Sequence, residues 1–99
     1  MKQIRDRVGG LDVHRDSVVA CARIQQPTGE VDVEKQRFAT TQEGLAELTT
    51  FLIDAGVTTV AMEATGIYWR TVYYALEGLV GELWLCNAQH VKNVPGRKT

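Results

Sequence analysis

The chain predicts an α/β domain built on a five-stranded mixed sheet of order 3-2-1-4-5, with helices packed on it. Three observations carry that prediction. Three strand-like segments near the amino terminus are joined by turns short enough to force antiparallel hairpins. A helix with an N-terminal capping signal follows. After it comes an apolar, β-branched run, Val57-Thr58-Thr59-Val60-Ala61-Met62, which reads as a buried strand. A second amphipathic helix and a short apolar run, Leu83-Trp84-Leu85, complete the order β-β-β-α-β-α-β. Strand–helix–strand crossovers make strand four parallel to a neighbour and strand five parallel to strand four. The simplest sheet that meets these pairings sets strands one and four side by side and pointing the same way.

Taken in order, residues 1 to 6 are a polar lead-in, and strand one covers Arg7 to His14. Gly10, Asp12 and His14 share one face, and Leu11 and Val13 the other. Arg15-Asp16 is a tight turn. Strand two, Ser17 to Gln25, is apolar on both faces, as a central strand should be. Gln26-Pro27-Thr28-Gly29 is a turn, with proline and glycine where their backbone preferences suit it. Strand three, Val31 to Ala39, alternates poorly. Asp32, Glu34, Lys35 and Arg37 make it an edge strand whose charges discourage further pairing.

Thr40-Thr41-Gln42-Glu43 has the form of a capping box, with Thr40 as the N-cap and Glu43 reaching back. Helix one follows to Ala55 with Leu45, Leu48, Leu52 and Ala55 as its buried stripe, and Gly56 ends it. Thr65 is placed to cap helix two, from Gly66 to Leu79, which is predicted to bury Tyr68, Val72, Ala75, Leu76 and Leu79. Gly78 and Gly81 bracket its end. Strand five runs from Glu82 to Cys86, and Pro95-Gly96 breaks any helical turn after Asn87.

Ninety-nine residues make one domain at most, and 44% apolar with 23% charged residues is ordinary globular composition. A net charge of -1 names no partner, but both ends are basic. Lys2, Arg5 and Arg7 stand against Asp6 at one end, and Lys92, Arg97 and Lys98 have no acid around them at the other. No apolar stretch is long enough to span a membrane, and Arg5-Asp6-Arg7 interrupts any signal-peptide core, so the chain reads as cytoplasmic. Cys21 and Cys86 lie in apolar runs and read as reduced, buried thiols.

The chemistry gathers at two acids. Glu63 closes strand four at its carboxyl end, the edge at which open α/β sheets bind ligands. Asp12 lies near the end of strand one. In the 3-2-1-4-5 order the two acids fall on adjacent parallel strands, at the same end and able to face one side. Their same-face neighbours, Gly10 and Ala61, are small and leave room. Paired carboxylates repel, so one must take a proton or a cation must lie between them. Hard oxygen ligands without cysteine or histidine support suit Mg²⁺ or Mn²⁺. Two such ions stabilise the attacking and leaving oxygens in phosphodiester cleavage. Against this stands a plain reading in which Asp12 caps a turn and Glu63 pairs with a surface arginine. Two acids are also too few for a two-metal centre, and the remaining acids do not fit: Asp16 is in a turn, Asp32 and Glu34 are on the far edge strand, and Glu77 and Glu82 lie at the other end of the sheet.

Three stretches carry a resemblance: Gly10-Leu11-Asp12-Val13-His14, Met62-Glu63-Ala64-Thr65-Gly66-Ile67-Tyr68-Trp69, and Asn87 through Pro95-Gly96-Arg97-Lys98-Thr99. Together they resemble the amino-terminal domain of the DEDD transposases, bacterial insertion-sequence recombinases with a RuvC-like, RNase H-like domain, some of them guided by a bridge RNA. The last two stretches are specific, and Gly-Leu-Asp alone is weak. The resemblance implies DNA as the substrate, Mg²⁺ or Mn²⁺ as cofactor, strand cleavage and rejoining as the reaction, and a homo-oligomer in the full-length protein. It assigns the first catalytic, metal-binding acid to Asp12 and the second to Glu63. The family's third and fourth acids are aspartates that follow the Gly-Arg-Lys-Thr segment. The resemblance therefore implies a partial domain over 1–99 that lacks those aspartates, the helical middle region and the carboxyl-terminal domain with its serine nucleophile, and is inactive alone.

Lys92, Arg97 and Lys98 are either a solvated tail or contacts to phosphates. Thr65-Gly66 is most simply a helix cap, although backbone N–H groups there could meet an anion. His14 beside a turn is ordinarily surface, and His90 with Cys86 lacks the partners of a zinc site. Tyr68, Trp69, Tyr73 and Tyr74 cluster on helix two as core more readily than as a base-stacking platform. Two other classes compete. An actin-like or sugar-kinase-like ATPase shares the three-strand start, but Val13-His14-Arg15 leaves no nucleotide loop after Asp12. A non-catalytic nucleic-acid-binding or dimerisation module of the same fold is the other.

Overall fold

A computed structural model describes residues 7–64 and 66–87. The elements run β1 (Arg7–Val13), β2 (Ser17–Gln25), β3 (Val31–Ala39), α1 (Gln42–Asp54), β4 (Thr59–Ala64), α2 (Trp69–Leu76) and β5 (Glu82–Asn87). The sheet has the predicted order, β3-β2-β1-β4-β5. β1 pairs antiparallel with β2 and parallel with β4, β2 antiparallel with β3, and β4 parallel with β5.

Both helices pack on one face, and the core lies beneath them. On that face β1 sends down Leu11 and Val13, β2 Val18, Ala20, Ala22 and Ile24, and β4 Val60 and Met62. α1 covers them with Leu45, Leu48 and Leu52, and α2 with Val72, Tyr73 and Leu76. Gly9 sits under this layer because a Cβ there would meet Leu52 and Val57 side chains at 3.2 Å. The opposite face of the sheet carries no helix among the described residues. Alternate residues of every strand, Gly10, Cys21, Ala61 and Trp84 among them, face that open side.

The ends of several elements differ from expectation: β1 stops at Val13 and not His14, β4 starts at Thr59 and not Val57, β5 runs one residue on to Asn87, and both helices shift. Thr41, not Thr40, caps α1: its side chain accepts a hydrogen bond from the Gly44 N–H at 3.0 Å. Thr40 instead donates its hydroxyl to the Arg15 carbonyl at 3.1 Å, and its N–H bonds to the Asp16 carbonyl, which ties the exit of β3 to the β1–β2 turn. Gly44 decides the difference. A Cβ there would press into the backbone of Ala39, 2.8 Å from its carbonyl carbon and 2.9 Å from its nitrogen. The capping-box reading fails because the first turn is set by that close approach and not by Glu43. α1 also ends at Asp54, one residue early, with Ala55 as its C-cap and Gly56 at φ 71°.

α2 is shorter than predicted at both ends, because Gly66 at φ 58° and Gly78 at φ 84° cannot be helical. Residues 66–68 form a turn instead. Tyr68 and Leu79, expected on the buried face, are 40% and 51% exposed, since both fall outside the helix that results. The cysteines are free but only half-buried, because both point to the uncovered face. None of the described helices is long and apolar enough to cross a membrane.

Candidate functional site

Asp12 and Glu63 are each next to last in their strands, and the parallel register sets them opposite one another. Neighbouring strands are about 4.8 Å apart, so two such side chains on one face are within reach of a shared ion. Their flanking residues on both strands, Leu11 and Val13, Met62 and Ala64, point down into the core. Alternation therefore sends both acids to the open face. There they line a depression of about 490 Å³ with Gly10 and Ala61 beside them. Small residues at those two positions keep it open, and a Cβ at Gly10 would meet nothing within 4 Å. Val19, Cys21 and Cys86 form its sides, and Lys35 reaches it from β3.

Among the described residues, Asp12 has a polar contact with His14. His14 lies two residues on, its side chain 54% exposed, with Nε2 at 3.2 Å from Oδ2 of an Asp12 side chain that is 60% exposed. The turn that follows β1 fixes the His14 backbone, through a hydrogen bond from its N–H to the Ser17 carbonyl at 2.8 Å. His14 is thus the first contact of the first acid, a role that its place beside a turn does not suggest. The signal in the sequence is its parity with Asp12 on one strand. Among the described residues, neither acid is ion-paired with a lysine or arginine.

The other acids lie where expected. Glu82 starts β5, at the far end of the sheet, and accepts a hydrogen bond from the Thr59 hydroxyl at 3.2 Å. Asp32 on β3 accepts one from the Gln26 amide at 2.6 Å. No group of three or more His, Cys, Asp or Glu able to hold a metal occurs among the described residues. Among the described residues, the carboxylates at the depression are therefore those of Asp12 and Glu63. That fits a hard divalent ion that keeps much of its water, as Mg²⁺ does. Gly66 stands just beyond β4 at its positive φ. Thr65, His90, Lys92, Arg97 and Lys98 lie outside the described residues.

A family model described as transposase, that of the DEDD transposases, matches residues 9–99. The chain belongs to the DEDD transposase family. No curated protein sequence matches it. Among solved structures, the fowlpox virus Holliday junction resolvase is similar at a TM-score of 0.59 and 8% identity, over 82% of this chain and 60% of that one. RuvC of Thermus thermophilus is similar at 0.58 and 12% identity, over 90% of this chain and 73% of that one. A Ppx/GppA family member from Aquifex aeolicus is similar at 0.51 and 10% identity, over 83% and 35%. At such identities these likenesses concern the fold, which is RNase H-like and of the RuvC kind. The chain spans about three-fifths of the fowlpox protein's length. Asp12 and Glu63 both fall inside the stretch that the transposase family model matches.

Proposed function

We propose that this chain carries the first two metal-binding carboxylates, Asp12 and Glu63, of a transposase centre that cleaves DNA phosphodiesters. The observation that supports the reading best is the register pairing of two exposed acids in one depression of an RNase H-like sheet. A divalent ion bound there would neutralise charge on the scissile phosphate. The two carboxylates hold it from adjacent strands, and His14 restrains Asp12. Lys92, Arg97 and Lys98 supply sequence-independent affinity for phosphates. Assembly into a homo-oligomer and guidance by RNA are further parts of the proposal, carried by family membership alone.

The actin-like ATPase reading has less behind it. The Aquifex likeness reflects a shared fold, and the two-residue turn at Arg15-Asp16 closes directly after β1. Nothing there can wrap a nucleotide phosphate.

Two carboxylates leave an ion held mainly by water. The chain by itself is therefore expected to bind Mn²⁺ weakly and to leave DNA uncut. Electron paramagnetic resonance of Mn²⁺ in the presence of the 99-residue chain measures the first. Asp12→Asn and Glu63→Gln should each weaken binding at least tenfold, and binding indifferent to both would refute the site. Incubation with duplex and branched DNA in Mg²⁺ or Mn²⁺ measures the second.

A further inference from the structure

The charges of β3 are sorted by face. Val31, Val33, Lys35 and Arg37 have one parity, and Asp32, Glu34 and Gln36 the other. The register says which parity goes where. Arg37 lies opposite Val19, Val19 opposite Asp12, Asp12 opposite Glu63, and Glu63 opposite Cys86. These five residues form one row across the open face. The next row runs Lys35, Cys21, Gly10, Ala61, Trp84. Both cations of β3 therefore share a face with the acid pair, and both of its acids are on the helix side. Lys35 lines the same depression as Asp12 and Glu63.

Edge protection alone does not ask for this sorting, since Asp32 and Glu34 place charge on the same edge strand from its other face. Nor, among the described residues, are the cations bonded to the acids. Two strand spacings separate Arg37 from Asp12, about 10 Å. Neither Lys35 nor Arg37 makes an ion pair among the described residues. Cations aimed at one face, near two carboxylates but not bonded to them, suit a ligand that is negative and extended. One strand of DNA carries a charge about every 3.4 Å along the duplex axis, so that 10 Å covers about three phosphates.

We propose that Lys35 and Arg37 hold the phosphate backbone of a DNA strand that lies across the open face, from β3 over Val19 and Cys21 to the Asp12–Glu63 pair. The proposal rests on the reading of that pair as the place of the scissile phosphodiester, and it adds the direction of approach. The half-buried, uncharged middle of the path, Val19 and Cys21, lets the strand lie close to the sheet. The cations grip phosphates to one side of the reacting one.

The test is fluorescence anisotropy of end-labelled duplex and branched DNA with the 99-residue chain in Mg²⁺, across a salt series. Lys35→Ala with Arg37→Ala should weaken binding roughly tenfold. The same pair should lower the slope of log affinity against log salt by nearly two, since each phosphate that a cation neutralises adds about 0.9 to that slope. Lys35→Arg with Arg37→Lys should restore most of both. Asp32→Asn with Glu34→Gln, on the other face of the same strand, should change affinity less than twofold. An alanine pair with unaltered affinity and slope would overturn the proposal. So would an acid pair whose removal strengthens binding as much as cation removal weakens it, since bulk charge would then explain both. Mn²⁺ binding separates this proposal from the reading beneath it. The alanine pair should retain the ion, whereas ion binding indifferent to Asp12→Asn would sink the metal site and leave the measured phosphate contacts standing.

Discussion

An imidazole 3.2 Å from a carboxylate restricts where that carboxylate can point. Ligating carboxylates that are themselves hydrogen-bonded hold metals better, because less freedom is lost on binding. His14→Ala should therefore weaken Mn²⁺ binding by roughly threefold to tenfold, less than loss of a buried outer partner because both groups are over half exposed. Capping is the second residue-scale matter. Thr41→Ala removes the bond to the Gly44 N–H and should cost about 1 kcal/mol in urea unfolding. Glu43→Ala should cost little, since Glu43 makes no capping bond among those described. Two adjacent threonines make the cap ambiguous in the sequence, and the glutamate favours the wrong one. The deciding contact, Gly44 against the Ala39 backbone, joins the helix to the end of β3, and no local pattern announces it. Asp12 and Glu63, by contrast, are legible. Parity within a strand and position at its carboxyl end are both properties of the sequence itself.

Among the elements, α2 shows how a backbone dihedral overrides a periodic pattern. Apolar spacing argues for a helix from Gly66, but φ 58° excludes that residue from the helix, which begins at Trp69. A side chain at such an angle costs about 1 kcal/mol, so Gly66→Ala should destabilise by that amount and leave the helix where it is. α2 also carries a pH response. Burial pushes the Tyr73 phenol above its ordinary value, and the nearby Glu77 and Tyr74 push the same way. The folded chain keeps that proton at a pH where the unfolded chain has released it. Its contribution to stability is whole below the usual tyrosine value near 10 and is lost as pH rises beyond it. The thermal midpoint should therefore fall above about pH 10, and less steeply in Tyr73→Phe, as circular dichroism can follow. β3 is legible as an edge strand from its charges alone. Their sorting by sign is not, because it acquires meaning only once the register shows which parity shares a face with the two acids.

Across the whole molecule, the sheet order follows from element order, short turns and the handedness of crossovers. The half-burial of Cys21 and Cys86 does not, because the sequence does not say which face the helices choose. Both helices choose one face, and the core depends on α1. Leu48→Ala, at a fully buried site, should cost about 2–5 kcal/mol by urea denaturation.

That arrangement has a consequence in time. β1, β2 and β3 are joined by short turns and can pair early. Asp12 and Glu63, at positions 12 and 63, are 51 residues apart in the chain and become neighbours only when β4 docks on β1. Such distant pairings close slowly, because the entropy of the intervening chain must be overcome before any contact rewards it. A refolding molecule that has completed its hairpins would still have no place for an ion. In stopped-flow refolding, uptake of Mn²⁺ should appear with the slowest phase and never ahead of it, so that the ion reports completion of the sheet.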